Sequence, residues 1–170
     1  RFMAREDSKT VGMIGAGYQA RGQLEGICSV RDVSQVKVFD ISEEFSAKFA
    51  HEMQEELDIP ISSVTTAEEA VKDVDIVITM TTTRKPVLLG DWLQPGQHIN
   101  AAGSNHWIRQ EVDDNVIKRA DRIVVDSIED AKIEAGDLLF PIERGRVMWS
   151  GIRDLSDLVA GHILGRESDK

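Results

Sequence analysis

The sequence predicts an α/β fold, a doubly wound and mostly parallel sheet of about six strands with helices on both faces. Three observations carry this. Short apolar runs alternate with helical segments along the whole chain. Those runs are continuous rather than alternating, as strands covered on both faces require. The first run breaks into a glycine turn that leads directly into a helix.

Taken in order, Thr10–Ile14 is the first strand and Ala20–Cys28 the helix after its turn. Val36–Phe39 is the second strand. The helix after it, Glu43–Leu57, carries Phe45, Phe49, Met53 and Leu57 on every fourth residue, a stripe suited to packing on a sheet. A weak strand at Ser63–Thr65 and a short helix at Ala67–Val71 come next. They lead to strands at Val74–Thr79 and Ile99–Ala102, a helix at Asp113–Ala120, a strand at Ile123–Val125 and a helix at Ile128–Ala135. Strands and helices of these lengths give right-handed βαβ units, and the glycine turn implies the strand order 3-2-1-4-5-6. Arg1–Asp7 reads as the end of a helix begun earlier, and Ser168–Lys170 stops in a polar stretch without a cap. Val147–Gly165 holds Trp149, Ile152, Leu155, Leu158 and Val159, which need a surface to pack on. The expectation is one domain, residues 1–170, excised from a longer two-domain enzyme.

Composition narrows the function. A net charge of −10 argues against nucleic acid, whose phosphates call for clustered Lys and Arg. No apolar run approaches the ~20 residues of a membrane span, so no membrane partner is expected. The single cysteine, Cys28, cannot close an internal disulfide and fits a reducing cytoplasm; it is read as a packing residue. His51, His98 and His162 are scattered without a ligand spacing, so no metal is expected. Glu52, Glu55, Glu56 and Asp58 read as a solvated helix face.

The glycine turn is Gly15-Ala16-Gly17-Tyr18-Gln19-Ala20, a G-x-G-x-x-A run between strand and helix. Gly15 permits the tight turn, Gly17 lets a pyrophosphate approach the backbone, and Ala20 keeps the helix close to the sheet. The helix N-terminus offers free N–H groups to the anion. Asp40 ends the second apolar run 25 positions after Gly15, where a Rossmann fold places its ribose-binding carboxylate. It suits NAD and repels the 2′-phosphate of NADP, and the following Ile41 and Ser42 offer no cation for that phosphate. Asp40 could also simply lead into the helix at Glu43. No Walker A run occurs, and Gln19 stands where a methyltransferase-type turn would want another glycine.

Five segments together resemble the ornithine cyclodeaminase/μ-crystallin family, which includes archaeal-type alanine dehydrogenases and ketimine reductases. They are Val11–Ala20, Asp75–Leu88, Leu93–Asn105, Glu111–Asp113 and Asp121–Leu138, and they span nearly the whole chain. The resemblance implies a central NAD-binding domain whose substrate half, with its cationic residues and dimer interface, is built from segments absent here. It makes Gly15, Ala16, Gly17, Tyr18, Gln19 and Ala20 the pyrophosphate loop, with Asp40 and Ile41 at the ribose. Thr79, Met80, Thr81 and Thr82 then border the adenosine and nicotinamide ribose, although a Thr-rich stretch also makes a hydroxyl-capped loop. Gly103 and Ser104 resemble the loop that faces nicotinamide and substrate.

One branch of the family carries an aspartate in that loop. Aligning Glu111 with the glutamate that follows it puts Asn105 in the aspartate's place. An amide orients by hydrogen bonds but does not shuttle protons at neutral pH. His106 beside it could titrate, or could be an ordinary exposed loop histidine. Asn105 and His106 are thus the catalytic candidates. Asp126 either faces the cofactor or caps the helix at Ile128. The resulting expectation is an NAD-dependent oxidoreductase on an amino acid/imino acid pair, with NAD preferred over NADP. The alternatives are an ornithine cyclodeaminase that uses NAD catalytically and a non-catalytic nucleotide-binding protein.

Overall fold

The computed structural model describes residues 1–168. Five strands form one parallel sheet in the order β3-β2-β1-β4-β5: β1 Thr10–Ile14, β2 Gln35–Phe39, β3 Ile61–Ser63, β4 Ile76–Thr79 and β5 His98–Ala101. Successive residues of the central strands serve opposite faces, as the two-residue period of a strand dictates. Val11 and Met13 of β1 and Ile76 and Ile78 of β4 pack on one core, with Leu24 and Ile27 of α1 (Tyr18–Cys28) and Phe49 and Met53 of α2 (Glu43–Leu57). Ile14 and Val77 face a second core with Val71 of α3 (Ala67–Val71), Val116 of α4 (Asp114–Arg119) and Leu138 of α6 (Gly136–Glu143). Continuous apolar strands are therefore what this double-sided burial needs.

α2 spans the residues expected of it, with Ser42 Oγ accepting from Phe45 N at its start and Asp58 closing it in the left-handed region. Its buried stripe begins one position later than the periodicity suggests. Ser46, Phe49, Ala50 and Met53 are buried, whereas Phe45 is 59% exposed. The hydrogen bond of 2.7 Å between the Ser46 and Ser63 hydroxyls turns Ser46 toward β3 and leaves Phe45 outside.

Two expectations need correction. The sixth strand, β6 (Ile123–Val125), does not extend the main sheet; it pairs in parallel with β7 (Ile152–Asp154) in a separate ladder. Ile152, 1% exposed, anchors β7 in the second core, so part of Val147–Gly165 supplies the strand that β6 pairs with. Leu158 of α7 (Leu155–Val159) is buried as well, while Leu155 and Val159 remain exposed. Arg1–Asp7 is bends and turns rather than a helix end. The Arg31 guanidinium takes the carbonyls of Arg1, Ala4 and Arg5 and holds the segment in this bent course. Of the polar stretch Ser168–Lys170, Asp169 and Lys170 lie outside the described residues. The remaining helix, α5, is Ile128–Glu134.

Candidate functional site

The carboxyl ends of four strands are laced together by backbone hydrogen bonds. Gly15 N donates to Phe39 O (2.8 Å), Met80 N to Ile14 O (2.9 Å) and Ala102 N to Thr79 O (2.9 Å). The lacing explains Gly15, whose φ is +105° and whose added Cβ would lie 2.3 Å from Met80 O. Gly17 is the contrasting case: a Cβ there would meet nothing within 4 Å. The open space lies in front of the N-terminus of α1. Among the described residues, α1 is the one α-helix whose start has neither a capping side chain nor an acidic residue in its first turn. Its first N–H groups and partial positive charge are left for an anion.

Asp40 stands beside this turn, with Oδ2 accepting from Ala16 N (2.9 Å) and Oδ1 from Ser42 N (2.9 Å). It is more than a lead-in to α2, because it joins the glycine turn to the end of β2, and the capping role belongs to Ser42. Each carboxylate oxygen keeps lone-pair capacity for another donor. Ile41 is 94% exposed and Tyr18 86%, so both present apolar surface at this edge. Gln19 is exposed too.

Two predicted contact residues are recast by burial. Ala20 and Thr79 are both 0% exposed and have no face toward the edge. Ala20 sits in the first core under α1, where its small side chain brings helix and sheet together. The Thr79 hydroxyl turns inward and donates to Glu111 Oε2 (2.9 Å). Met80 and Thr81 are half-buried and Thr82 is exposed.

Glu111 is the organising residue of this side. Its Oε1 accepts from Thr81 N (2.5 Å) and Thr81 Oγ1 (2.7 Å), and its Oε2 accepts from Gly103 N (2.7 Å) besides Thr79. Its own N–H donates to Asp137 Oδ1 (2.7 Å), which also takes Val112 N (3.0 Å). Asp137 is itself buried, and its Oδ2 has no partner among the described residues. Removal from water pushes the Asp137 carboxyl up to about 6; the two N–H donors oppose the shift, and the charge of Glu111 adds to it. In the sequence Glu111 served as an alignment landmark and Asp137 drew no attention. Their partners lie 8 to 32 positions away, so no local spacing marks them.

The loop after β5 hangs from the same pair. Gly103 is buried against Thr81 O and Glu111, and the Ser104 hydroxyl donates to Arg109 O while accepting from Asp137 N. Asn105 is exposed, and its Oδ1 accepts from Arg109 Nη1 (2.7 Å). His106 is exposed, stacks on Trp107 and accepts from Ile108 N through Nδ1. Asp126 accepts from Ser127 N, and Ser127, not Asp126, caps α5.

The other histidines take no part. His98, at the opposite end of β5, is held to about 4 mainly by burial and pairs with Asn100 (2.8 Å). Cys28 is half-buried against the first core, and burial raises its thiol. Among the described residues no group of three or more His, Cys, Asp or Glu is placed to hold a metal ion, and no helix is long and apolar enough to cross a membrane.

The model of the ornithine cyclodeaminase/mu-crystallin family matches residues 1–170. A Delta(1)-pyrroline-2-carboxylate reductase of Bacillus cereus is 37% identical over 171 positions, covering 100% of this chain and 52% of the relative. The Thermococcus litoralis enzyme of that name, solved with NADH and L-proline, superposes with a TM-score of 0.97 at 40% identity, covering 99% of this chain and 52% of that one. An archaeal alanine dehydrogenase dimer with bound NAD superposes at 0.91 with 35% identity, again covering 99% of this chain and 52% of that one. The chain thus spans about half the length of the relatives it matches.

Proposed function

The chain belongs to the ornithine cyclodeaminase/mu-crystallin family, and on that premise we propose that it is the NAD-binding domain of an oxidoreductase interconverting an imino acid and an amino acid. One observation carries the nucleotide reading: the open space at Gly17, before an uncapped helix start, lies beside a carboxylate anchored to the same turn. The N–H groups of Gly17, Tyr18 and Gln19 suit a pyrophosphate, and Asp40 suits the adenosine ribose hydroxyls. Its negative charge opposes a 2′-phosphate, so the reading favours NAD over NADP. Ile41 offers apolar surface to the adenine. Met80, Thr81, Thr82, Gly103 and Ser104 lie along the edge where the nicotinamide end would run.

The chemistry that NADH would supply when bound there is a hydride for the imine carbon, with the proton for the nitrogen drawn from solvent or from a residue of the loop after β5. This chain's residues orient the reactants. Arg109 occupies the Asn105 carbonyl, which leaves the amide NH₂ to donate to an acceptor on the substrate, and a carboxylate is such a group. An amide transfers no proton at neutral pH, so net reduction fits Asn105 better than deamination does. His106 is the titratable neighbour, and a His106→Gln variant tests whether the proton comes from this loop. The rest of the substrate site, and a homodimer interface, we assign to a second half of a two-domain enzyme. The single thiol, Cys28, suits a cytoplasmic setting.

Testing starts with NADH fluorescence titration of the chain and proceeds to NADH oxidation by the intact enzyme with Delta(1)-pyrroline-2-carboxylate and with pyruvate plus ammonia. NADH binding to the chain together with turnover of one of these substrates is the expected outcome. Failure to bind NADH would refute the reading.

A further inference from the structure

The loops after β4 and β5 share one buried anchor that no ligand need touch. Glu111 is 0% exposed and held at every polar atom. Its carbonyl accepts from Val87 N and Leu88 N, its N–H donates to Asp137, and each carboxylate oxygen takes one backbone N–H from a different loop. Oε1 holds Thr81 and Oε2 holds Gly103, and a Cβ on Gly103 would stand 2.4 Å from Thr81 O. The loops are therefore pressed together and tied through a single planar group.

We infer that Glu111 is a positioning residue for hydride transfer, fixing the spacing between the loop that borders the nicotinamide and the loop that faces the substrate. The inference rests on the functional reading above. Hydride transfer needs donor and acceptor carbons about 3–3.5 Å apart, and a displacement of ~1 Å can cost roughly a hundredfold in rate. Thr81 packs beside Gly15, but the Glu111 bonds end on Thr79, Thr81 and Gly103, and none reaches Asp40 or the open N–H groups at the start of α1. Nucleotide affinity and reaction rate should accordingly separate when the anchor is changed.

Glu111→Gln in the intact enzyme makes the separation visible. An amide has one accepting oxygen, so its NH₂ must face either the Thr81 N–H or the Gly103 N–H. The Thr79 and Thr81 hydroxyls can reverse their roles, but a backbone N–H cannot, and one loop has to let go. The expected result is an NADH Kd within about threefold of wild type and a kcat roughly a hundredfold lower. NADH deuterated at the transferred position should show a larger isotope effect, because hydride transfer becomes the slow step. Thr79→Val removes one bond of the set and guards against misfolding; it should move kcat the same way but less, by about tenfold, because both backbone N–H ties remain and the displacement is smaller. A parallel fall of affinity and kcat in the folded variants, or an unchanged kcat, overturns the inference. If the wild-type enzyme binds NADH but reduces no imine, the reading of the reaction fails. The clamp is then judged on bound NADH, whose nicotinamide emission shifts in Glu111→Gln if Glu111 shapes that loop pair and stays put if it does not.

Discussion

The two halves of the ligand edge are built by opposite means. On the β1–β2 side a contiguous turn, Gly15–Ala20, meets one carboxylate from the next strand, and the key groups are backbone N–H donors facing open space. On the β4–β5 side nothing is contiguous. Thr79, Thr81, Gly103 and Asp137 converge on Glu111 across the fold, and all of these but the half-buried Thr81 are buried. The first half leaves its donors open; the second uses its donors on its own contacts, with Asp137 Oδ2 alone left without a partner among the described residues. On the proposed reading, binding and rigidity fall to different strands of one sheet.

Substitutions can test the contrast, beginning with the largest expected effect. Glu111→Ala strands two backbone N–H groups and two hydroxyls in the interior. At ~1–3 kcal/mol for each unsatisfied group, it should destabilise the fold by about 4 kcal/mol or more, as read from the urea midpoint. Gly17→Val should do the reverse, leaving the urea midpoint near wild type because no protein atom lies within 4 Å of the new Cβ. It should weaken NADH binding by about a hundredfold or more, roughly 3 kcal/mol, by filling the space where a pyrophosphate approaches. A valine variant that binds NADH normally would end the parallel between open space and ligand site.

Asp40→Ala removes charge-assisted acceptors and should cost about 1.5–3 kcal/mol in NADH affinity, with NADPH affinity steady or improved. Titration calorimetry with both nucleotides decides it; equal losses for the two would take Asp40 out of the ribose role. The smallest effect belongs to Asp137. Both of its accepted bonds fall on Oδ1, so Asp137→Asn keeps them and removes a buried charge with no partner on Oδ2. Its folded value of about 6 lies above the ordinary 3.8. Its share of stability is therefore present below pH 3.8 and lost as the pH rises through 6. His98, lowered to about 4 from 6.5, works the other way, losing stability as the pH falls through that window. The measurement is therefore the difference between wild type and Asp137→Asn from pH 4 to 7, which should reach about 1–2 kcal/mol in favour of the variant above pH 6. A flat difference would mean that Asp137 finds a partner for Oδ2 on acquiring its charge.

The same contrast explains what could be seen in the sequence. The bounds of β1, α2, α3 and β6 follow directly from apolar period and caps, and Asp40 stands out because it closes an apolar run. Gly15 and Gly17 differ as the motif implies, one in a tight turn and the other open, but that Met80 is the neighbour crowding Gly15 is not legible in the spacing. β7 escaped notice because Ile152-Arg153-Asp154 buries a single apolar side chain. Arg1–Asp7 misled because its carbonyls are taken by Arg31 from a distant turn. The resemblance marks Glu111 as a position but not as an anchor, and nothing local marks Asp137: a carboxylate satisfied by remote donors looks, in one dimension, like any surface acid.

The bonds of Asp40 also bear on how cofactor preference can change. Its two oxygens separately hold Ala16 N and Ser42 N, so neither a basic nor an amide side chain can replace it without freeing part of the turn. On the proposed ribose role, the residue that discriminates between nucleotides is also a brace of the loop that grips what both nucleotides share. A lineage moving toward NADP would gain at the 2′-phosphate and lose at the turn in the same substitution, leaving NADPH affinity little better while NADH affinity falls, unless the turn were rebuilt in the same step. Selection acting one substitution at a time would hold such a chain to its original nucleotide, and a designer seeking to switch it would have to redraw Ala16 and Ser42 together with Asp40.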